Sequence, residues 1–373
     1  MVYQLSAMMR HPKAFVLASF VTFASGCSGA GGAGGAGGAT TPPGGGSLAS
    51  DGAGGAGGAG GAGSTAGGAS PTGSSPSAGQ SAATRKQAVP TVLRPTKRLT
   101  LAEARRYMVA LVNRDRATQG LGPVELDDGA PTAAGQAHAE DMAHLGYLGH
   151  WGSDGSVPEQ RHTEAGGEDM VLENALCFTD EAKRTLDPNA TIDPVQVERS
   201  ESMFFDEVPP NDGHRKNILK PAHTKVGIGV AQPVATATEI PVPCFAQEFT
   251  DDYGTYAPLP KRAKVGAVVH VEGTLTNGAR PSGVGIARIV KPAPIAASEL
   301  NKRRSYPVPK AFQMYWGPGF VTPMPVKIDG QKLAIDVPLT DHGQPGLYEV
   351  SVWAKLGSSE EHTMVSLRTI TVE

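Results

Sequence analysis

Apolar residues first recur at helical spacing just after residue 100, at Leu101, Ala104, Met108, Leu111 and Val112. Thr100 and Glu103 form the S/T-x-x-E pattern of a capping box, so we predict a helix that begins after Thr100. Pro131 opens a second, alanine-rich helix that Gly146 and Gly149 close. A third helix is predicted over about residues 194–206.

Two strand-like runs follow these helices. They are KVGIGVAQPV and IPVPCFAQEFTDD, and short turns bound both. Because the helices come first and the strands come late, we predict an α/β/α sandwich around an antiparallel sheet over residues 99–255.

From Tyr256 onwards, the helical periodicity disappears and short runs alternate with period two. These runs are Ala267/Val269/Val271, Val284/Ile286, Leu333/Ile335/Val337 and Tyr348/Val350/Val352. We therefore predict a second domain over residues 256–373, an all-β sandwich of immunoglobulin-like type, in a chain of the α+β class. The alternation changes phase between Leu367 and Ile370, which predicts a bulge or an edge strand.

Glycine and alanine dominate residues 28–98, and the chain holds 48 glycines in all. Such a segment offers few large side chains to bury, so we expect a disordered linker. A glycine-rich β-assembly is the alternative, but no bulky residues alternate with the glycines.

Residues 1–27 have the pattern of an export signal. Arg10 and Lys13 precede an apolar run over residues 14–24, which is too short to span a bilayer. Small residues then lead into Cys27, an arrangement that resembles a bacterial lipobox. We expect a lipoprotein of the cell envelope, on the outer membrane or cell surface, anchored through lipid on Cys27. An ordinary signal peptide and a secreted protein are the alternative.

The net charge and the number of cysteines indicate which partners and which cellular compartment to expect. A net charge of -3 gives no general attraction to nucleic acid, and we expect none as a partner. The chain has three cysteines, so lipid on Cys27 would leave Cys177 and Cys244 to form a disulfide in an oxidising compartment.

Four residues are candidates for chemistry: His150, Glu173, Glu207 and His214. If they share a cleft, the two imidazoles could hold a divalent metal while the carboxylates orient the rings or a bound water. They could also transfer protons without a metal. Their spacing alone does not bring them together, and no HExxH motif is present.

Several segments, in this order, resemble the CAP superfamily of cysteine-rich secretory, venom allergen, pathogenesis-related and bacterial SCP-like proteins. They are LVNRDRATQGLGPVELDD, AGQAHAEDMAHLGYLGHWGSDG, LENAL, GHRKNIL, KVGIGVA and FAQEFTD. The resemblance covers about residues 100–253 and implies an α/β/α sandwich. It also implies a cleft with two histidines and two acidic residues, in which some members bind zinc or another divalent ion.

The resemblance assigns the two cleft histidines to His150 and His214 and the acidic residues to Glu173 and Glu207. Leu172 stands where the family has glycine before the Glu-Asn pair. Zinc or another divalent cation, held by His150 and His214, is therefore the expected cofactor.

Other polar residues near the four candidates in the sequence are expected to support loops or to be solvated. We expect Asn174 and Asn217 to brace loops by hydrogen bonds. Glu168 and Asp169 compete with Glu173 for the acidic position, but no asparagine follows either of them. His162 and His223 fall in predicted loops, where solvation is expected.

Two functions remain open. The first is a surface-anchored module that binds a small ligand or a protein partner in the cleft, without catalysis. The second is a peptidase-like hydrolase that uses a cleft metal or a glutamate base. No serine nucleophile elbow is present, and a disulfide would consume both remaining thiols, so we favour binding. A structural envelope protein with a vestigial cleft is a third alternative.

Overall fold

A computed structural model describes residues 88–237, 239, 241–303 and 305–373, which lie within one compact unit. The predicted signal peptide, Cys27 and most of the predicted linker lie outside the described residues. None of the helices in the described ranges is long and apolar enough to cross a membrane.

The helices in the described part are α1 Leu101–Thr118, α2 Ala130–Leu145, α3 Pro158–Glu164, α4 Pro194–Phe205, α5 Gly213–Ile218 and α6 Ala297–Leu300. The three predicted helices are confirmed as α1, α2 and α4. The capping box is present, because the Thr100 side chain accepts from the Glu103 backbone and Glu103 accepts from the Thr100 N–H. Gly146 ends α2 in the left-handed conformation, with φ of 67°.

The first sheet consists of β1 Glu125–Leu126, β2 Met170–Leu176, β3 Lys225–Ala231 and β4 Cys244–Asp251, in the order β1-β3-β4-β2. Both predicted strands are confirmed as β3 and β4. The expected antiparallel sheet needs one correction, because β1 pairs with β3 in parallel. The long connection through several helices gives the chain room to return in the same direction. Neither β2 nor α3 was predicted.

The two faces of β3 pack against different helices, which produces the α/β/α layering. Val226 and Ile228 belong to the apolar cluster that also contains residues of α1 and α4. The opposite face carries Gly227 and Gly229, against which α2 packs. A Cβ on Gly229 would lie 2.0 Å from the backbone oxygen of Gly135, so this close helix–sheet approach requires glycine.

The remaining strands form two further sheets. Their ranges are β5 Gly254–Tyr256, β6 Arg262–Ala263, β7 Val268–Leu275, β8 Arg280–Ile289, β9 Gln313–Trp316, β10 Lys327–Asp329, β11 Lys332–Pro338, β12 Gly346–Lys355 and β13 His362–Val372. The orders are β10-β11-β7-β5 and β6-β13-β12-β8-β9. One buried cluster joins residues of both sheets, so this part of the chain is a β-sandwich. Its immunoglobulin-like type and the exact domain boundaries stay predictions.

The phase change near the C-terminus coincides with a bulged strand that is not an edge. The register of β12 and β13 shifts where Val352 lies opposite Ser366 and Trp353 opposite Met364. β6 pairs with the other side of β13. β13 also packs against α3 and β2, and Thr369 donates its N–H to Thr163. Both faces of β13 are buried for this reason.

Residues 290–303, which we call the connecting segment, follow β8 and lie against the helical part of the chain. Ile295 donates its N–H to the Ser153 oxygen at 2.8 Å. Leu300 is fully buried in a cluster with Met142 and Tyr147. The β-sandwich therefore contributes a segment to the region that carries His150.

Candidate functional site

His150 is oriented by the buried strand β2. It follows the turn that ends α2, and its Nδ1 lies 2.9 Å from Oε1 of Glu173. The Glu173 side chain is fully buried, whereas that of His150 keeps 17% of its surface exposed. Because the carboxylate accepts from Nδ1, the ring presents Nε2 as its free nitrogen.

Glu173 is ionised within a buried network. Its Oε2 accepts from Arg161 at 2.7 Å, and Arg161 also donates to the His150 backbone oxygen at 3.1 Å. Burial would raise the pKa of Glu173, but His138, Arg161 and the His150 hydrogen bond together hold that pKa well below its usual value. The His150 partner is therefore a fixed negative charge.

His214 is oriented by Glu207 from the turn before α5. Glu207 Oε2 accepts the His214 backbone N–H at 2.9 Å, and Oε1 lies 2.7 Å from Nδ1. Asp212 occupies the N-cap position of α5 without a side-chain capping bond, so Glu207 supplies the acceptor that this helix start needs. His214 also has Nε2 as its free ring nitrogen.

The structure brings the two histidines together. Their ring centroids lie 6.1 Å apart and their planes are inclined at 54°. With zinc–nitrogen bonds of about 2.0–2.1 Å and tetrahedral geometry, two imidazole ring centroids on one ion lie about 5.2 Å apart. The observed separation is larger than this, so the rings must approach each other for both to bind one zinc ion, while the carboxylates hold the rings. Within the described residues, no group of three or more His, Cys, Asp or Glu side chains could hold a metal.

Asn174 and Asn217 connect the two halves of the site. Asn174 Nδ2 donates to the His214 backbone oxygen at 3.2 Å. Asn217 Nδ2 donates to the Glu173 backbone oxygen at 3.1 Å and to Asn174 Oδ1 at 3.0 Å. These hydrogen bonds tie β2 to α5 and fix the spacing of the imidazoles.

The two histidines line a cavity of about 80 Å³. Its lining residues are Leu148, Gly149, His150, Ala175, Thr179, His214 and Arg303. A larger surface depression of about 400 Å³ lies around residues 94–98 and 193–195 and contains no histidine. We place the site in the smaller cavity because the paired imidazoles open into it.

One family of known proteins matches part of this chain. Residues 109–234 match the model of the CAP family, described as the cysteine-rich secretory protein family. The chain carries a CAP domain. No curated protein matches the chain. Among solved structures, a chitin binding domain from Burkholderia pseudomallei shows 10% identity and a TM-score of 0.20, over 31% of this chain and 57% of that chain. The present chain thus spans just over half the length of that structure.

The disulfide of the CAP domain is confirmed. Cys177 and Cys244 are bonded, with their Cα atoms 4.5 Å apart. Cys177 follows β2 and Cys244 begins β4, so the bond joins neighbouring strands at one end of the sheet.

The predicted solvation of two histidines was wrong, although His223 does lie in a loop. His162 lies in α3 with 1% of its surface exposed, and His223 is 3% exposed with Nδ1 2.6 Å from Asp251. Both were expected to be solvated in loops. Burial lowers the pKa of His162 to about 4, and also lowers that of His223. These rings are therefore buried neutral side chains of the CAP domain.

Several residues of the CAP cleft were not predicted. Arg161 holds Glu173, and His138 lies beside it with Nε2 2.8 Å from the Gly149 oxygen. Burial and the Glu173 carboxylate raise the pKa of Glu248 well above its usual value. The pairing of Glu173 with Glu248 across β2 and β4 could have been found only from the strand register.

Proposed function

We propose that this protein is an exported, surface-anchored binding protein whose CAP cleft holds its ligand at His150 and His214. One observation carries the proposal. Each imidazole has its Nδ1 occupied by a carboxylate, which leaves two Nε2 atoms for one small cavity. Rings oriented in this way are prepared to bind a ligand without rearrangement.

The proposed cofactor is Zn²⁺ or another divalent cation held by His150 and His214. The donor set fits, because neutral imidazoles with carboxylate partners are common zinc ligands. Two protein ligands would leave positions for an exogenous ligand, whereas structural zinc sites use four protein ligands. A bound metal would supply Lewis acidity toward that ligand.

Binding is favoured over hydrolysis by the placement of the carboxylates. Glu173 and Glu207 both accept from imidazole Nδ1 atoms, and neither is in the cavity lining. A general base must reach the water that it activates. Cys177 and Cys244 are joined to each other, which removes two thiol nucleophiles. Hydrolysis of peptides or esters is therefore the alternative function, which the peptide and ester panel described below tests.

The proposed location is the cell envelope, with lipid on Cys27 as the membrane anchor and residues 28–98 as the spacer. A disulfide is typical of exported proteins, which supports export. A secreted form without lipid is the alternative outcome. Mass analysis of the mature N-terminus would identify a diacylated Cys27, and an unmodified N-terminus would exclude the anchor.

Metal analysis and calorimetry on the full-length exported chain test the cleft. We expect one zinc ion per wild-type molecule and none in the His150→Ala/His214→Ala variant. His270→Ala is the matched control, because that exposed histidine lies in the β-sandwich and should leave zinc binding unchanged. Unchanged zinc binding in the double variant would refute the metal site. Histidine-dependent cleavage in a peptide and ester panel would favour the hydrolase instead.

A further inference from the structure

The CAP cleft is completed by a residue of the connecting segment. Arg303 is among the residues that line the cavity with His150 and His214. We infer that Arg303 binds an acidic end group, a carboxylate or a phosphate, of the ligand that occupies this cleft. This inference takes one point from the proposed function, namely that the ligand lies at His150 and His214.

The position of Arg303 is fixed by its neighbours in the connecting segment. Asn301 Oδ1 accepts the Leu148 N–H at 2.9 Å, and Asn301 Nδ2 donates to the Thr179 oxygen at 3.4 Å. The Arg303 N–H donates to the Leu300 oxygen at 2.9 Å, while the Leu300 side chain is fully buried. Since Leu148 and Thr179 also line the cavity, these bonds attach the segment to the cavity wall itself.

The charge of Arg303 is available to a ligand. Its guanidinium carbon lies 4.8 Å from the centre of the Trp151 ring, and it forms no ion pair within the described residues. The contact with the aromatic face restrains the guanidinium, and within the described residues its N–H groups donate no hydrogen bond. Arg161, by contrast, is buried and bonded to Glu173.

The lining of the cavity complements an anion. No Asp or Glu is among its lining residues, and those with polar side chains are His150, His214, Thr179 and Arg303. A guanidinium matches the geometry of carboxylate and phosphate oxygens, and charge-assisted bonds of this kind are about twice as strong as neutral ones.

The size of the cavity limits what enters. Pockets for whole small molecules are about 300–1,000 Å³, and the present cavity of about 80 Å³ is well below that range. A water molecule takes up about 30 Å³ in the liquid, so the cavity suits one small group. The cavity therefore recognises the acidic end of a longer ligand whose remainder lies outside.

Anion titration of the full-length exported chain tests the inference, with acetate and inorganic phosphate as separate probes. Binding is followed by ¹³C and ³¹P line broadening at constant ionic strength, once with a chelator and once with zinc. The variants are Arg303→Gln and, as the matched control, Lys302→Gln, which removes an adjacent exposed cation paired with Glu299. The anion that binds identifies the end group as carboxylate or phosphate.

We expect saturable binding of at least one anion to the wild type, about tenfold weaker binding to Arg303→Gln, and no change with Lys302→Gln. Absence of binding to the wild type, or a loss below fivefold in Arg303→Gln, would overturn the inference. An equal loss in Lys302→Gln would also overturn it, since general surface charge would then explain the effect. If zinc does not bind but the anion still requires Arg303, the proposed metal fails and this inference stands.

Discussion

Glu207 contacts His214 at two atoms, accepting its backbone N–H through Oε2 and pairing with its Nδ1 through Oε1. One carboxylate thus begins α5 and sets the orientation of the imidazole that α5 presents. Because one carboxylate holds both the ring and the backbone, the His214 imidazole has little freedom to rotate.

Glu207→Ala should weaken zinc binding by about tenfold to a hundredfold, because loss of a carboxylate partner frees the ring and lowers its basicity. Calorimetric titration with zinc measures the change. Asp206→Asn is the control, since it neutralises the adjacent carboxylate, for which no contact with His214 is present in the described residues. Equal zinc affinity in Glu207→Ala and the wild type would show that Glu207 does not orient the ligand.

Arg161→Met should destabilise the protein by about 3–5 kcal/mol, because it leaves the ionised Glu173 buried without its guanidinium partner. The free energy of unfolding in urea measures the loss. The Arg161→Met/Glu173→Gln variant should recover part of it, because the uncompensated charge is then absent. A double variant as unstable as the single one would contradict the buried ion pair.

The helix boundaries that depend on neighbouring residues could be predicted from the sequence. Thr100 and Glu103 form the predicted capping box that begins α1, and Pro131 marks the start of α2 within one residue. Of the two glycines predicted to close α2, Gly146 ends it and Gly149 lies beyond it. α3 was missed because its seven residues are too short to show a helical period.

The residues of the site are brought together by contacts between segments that are far apart in the sequence. His150 and His214 were identified through the family resemblance, and the spacing of residues 150, 173, 207 and 214 did not require them to meet. Arg303 carried no sequence pattern, because its role depends on how the connecting segment packs against Leu148. No periodicity within the predicted β-sandwich could indicate that packing.

Replacement of both Cys177 and Cys244 by alanine should lower the free energy of unfolding by about 4 kcal/mol. The bond closes a loop with a sequence separation of 67 residues, and the chain-entropy relation gives this magnitude for the unfolded state. Urea unfolding with and without a reductant measures it. The reductant should destabilise the wild type and leave the alanine variant unchanged. Mass mapping that finds both thiols free in exported protein would contradict the prediction.

Glu349 of β12 and Glu159 of α3 form a buried carboxyl pair between the sandwich and the CAP domain, and Tyr306 donates to Glu159. Burial, then the neighbouring Glu159, raises the pKa of Glu349 to about 10. In the unfolded chain, a glutamate has a pKa of about 4.3. Between these values the folded state binds more protons than the unfolded state, so stability falls as pH rises.

Glu349→Gln should therefore reduce this pH dependence, since the amide is neutral in both states. Relative to the wild type, the variant should gain stability progressively from pH 5 to pH 9, by up to about 1.4 kcal/mol per pH unit. Glu159 still titrates in this variant, which leaves some slope. Urea unfolding at intervals across this range measures the difference, and Glu360→Gln, an exposed carboxylate of the same sandwich, is the control. Parallel stability profiles for Glu349→Gln and the wild type would show that Glu349 is not protonated at the interface.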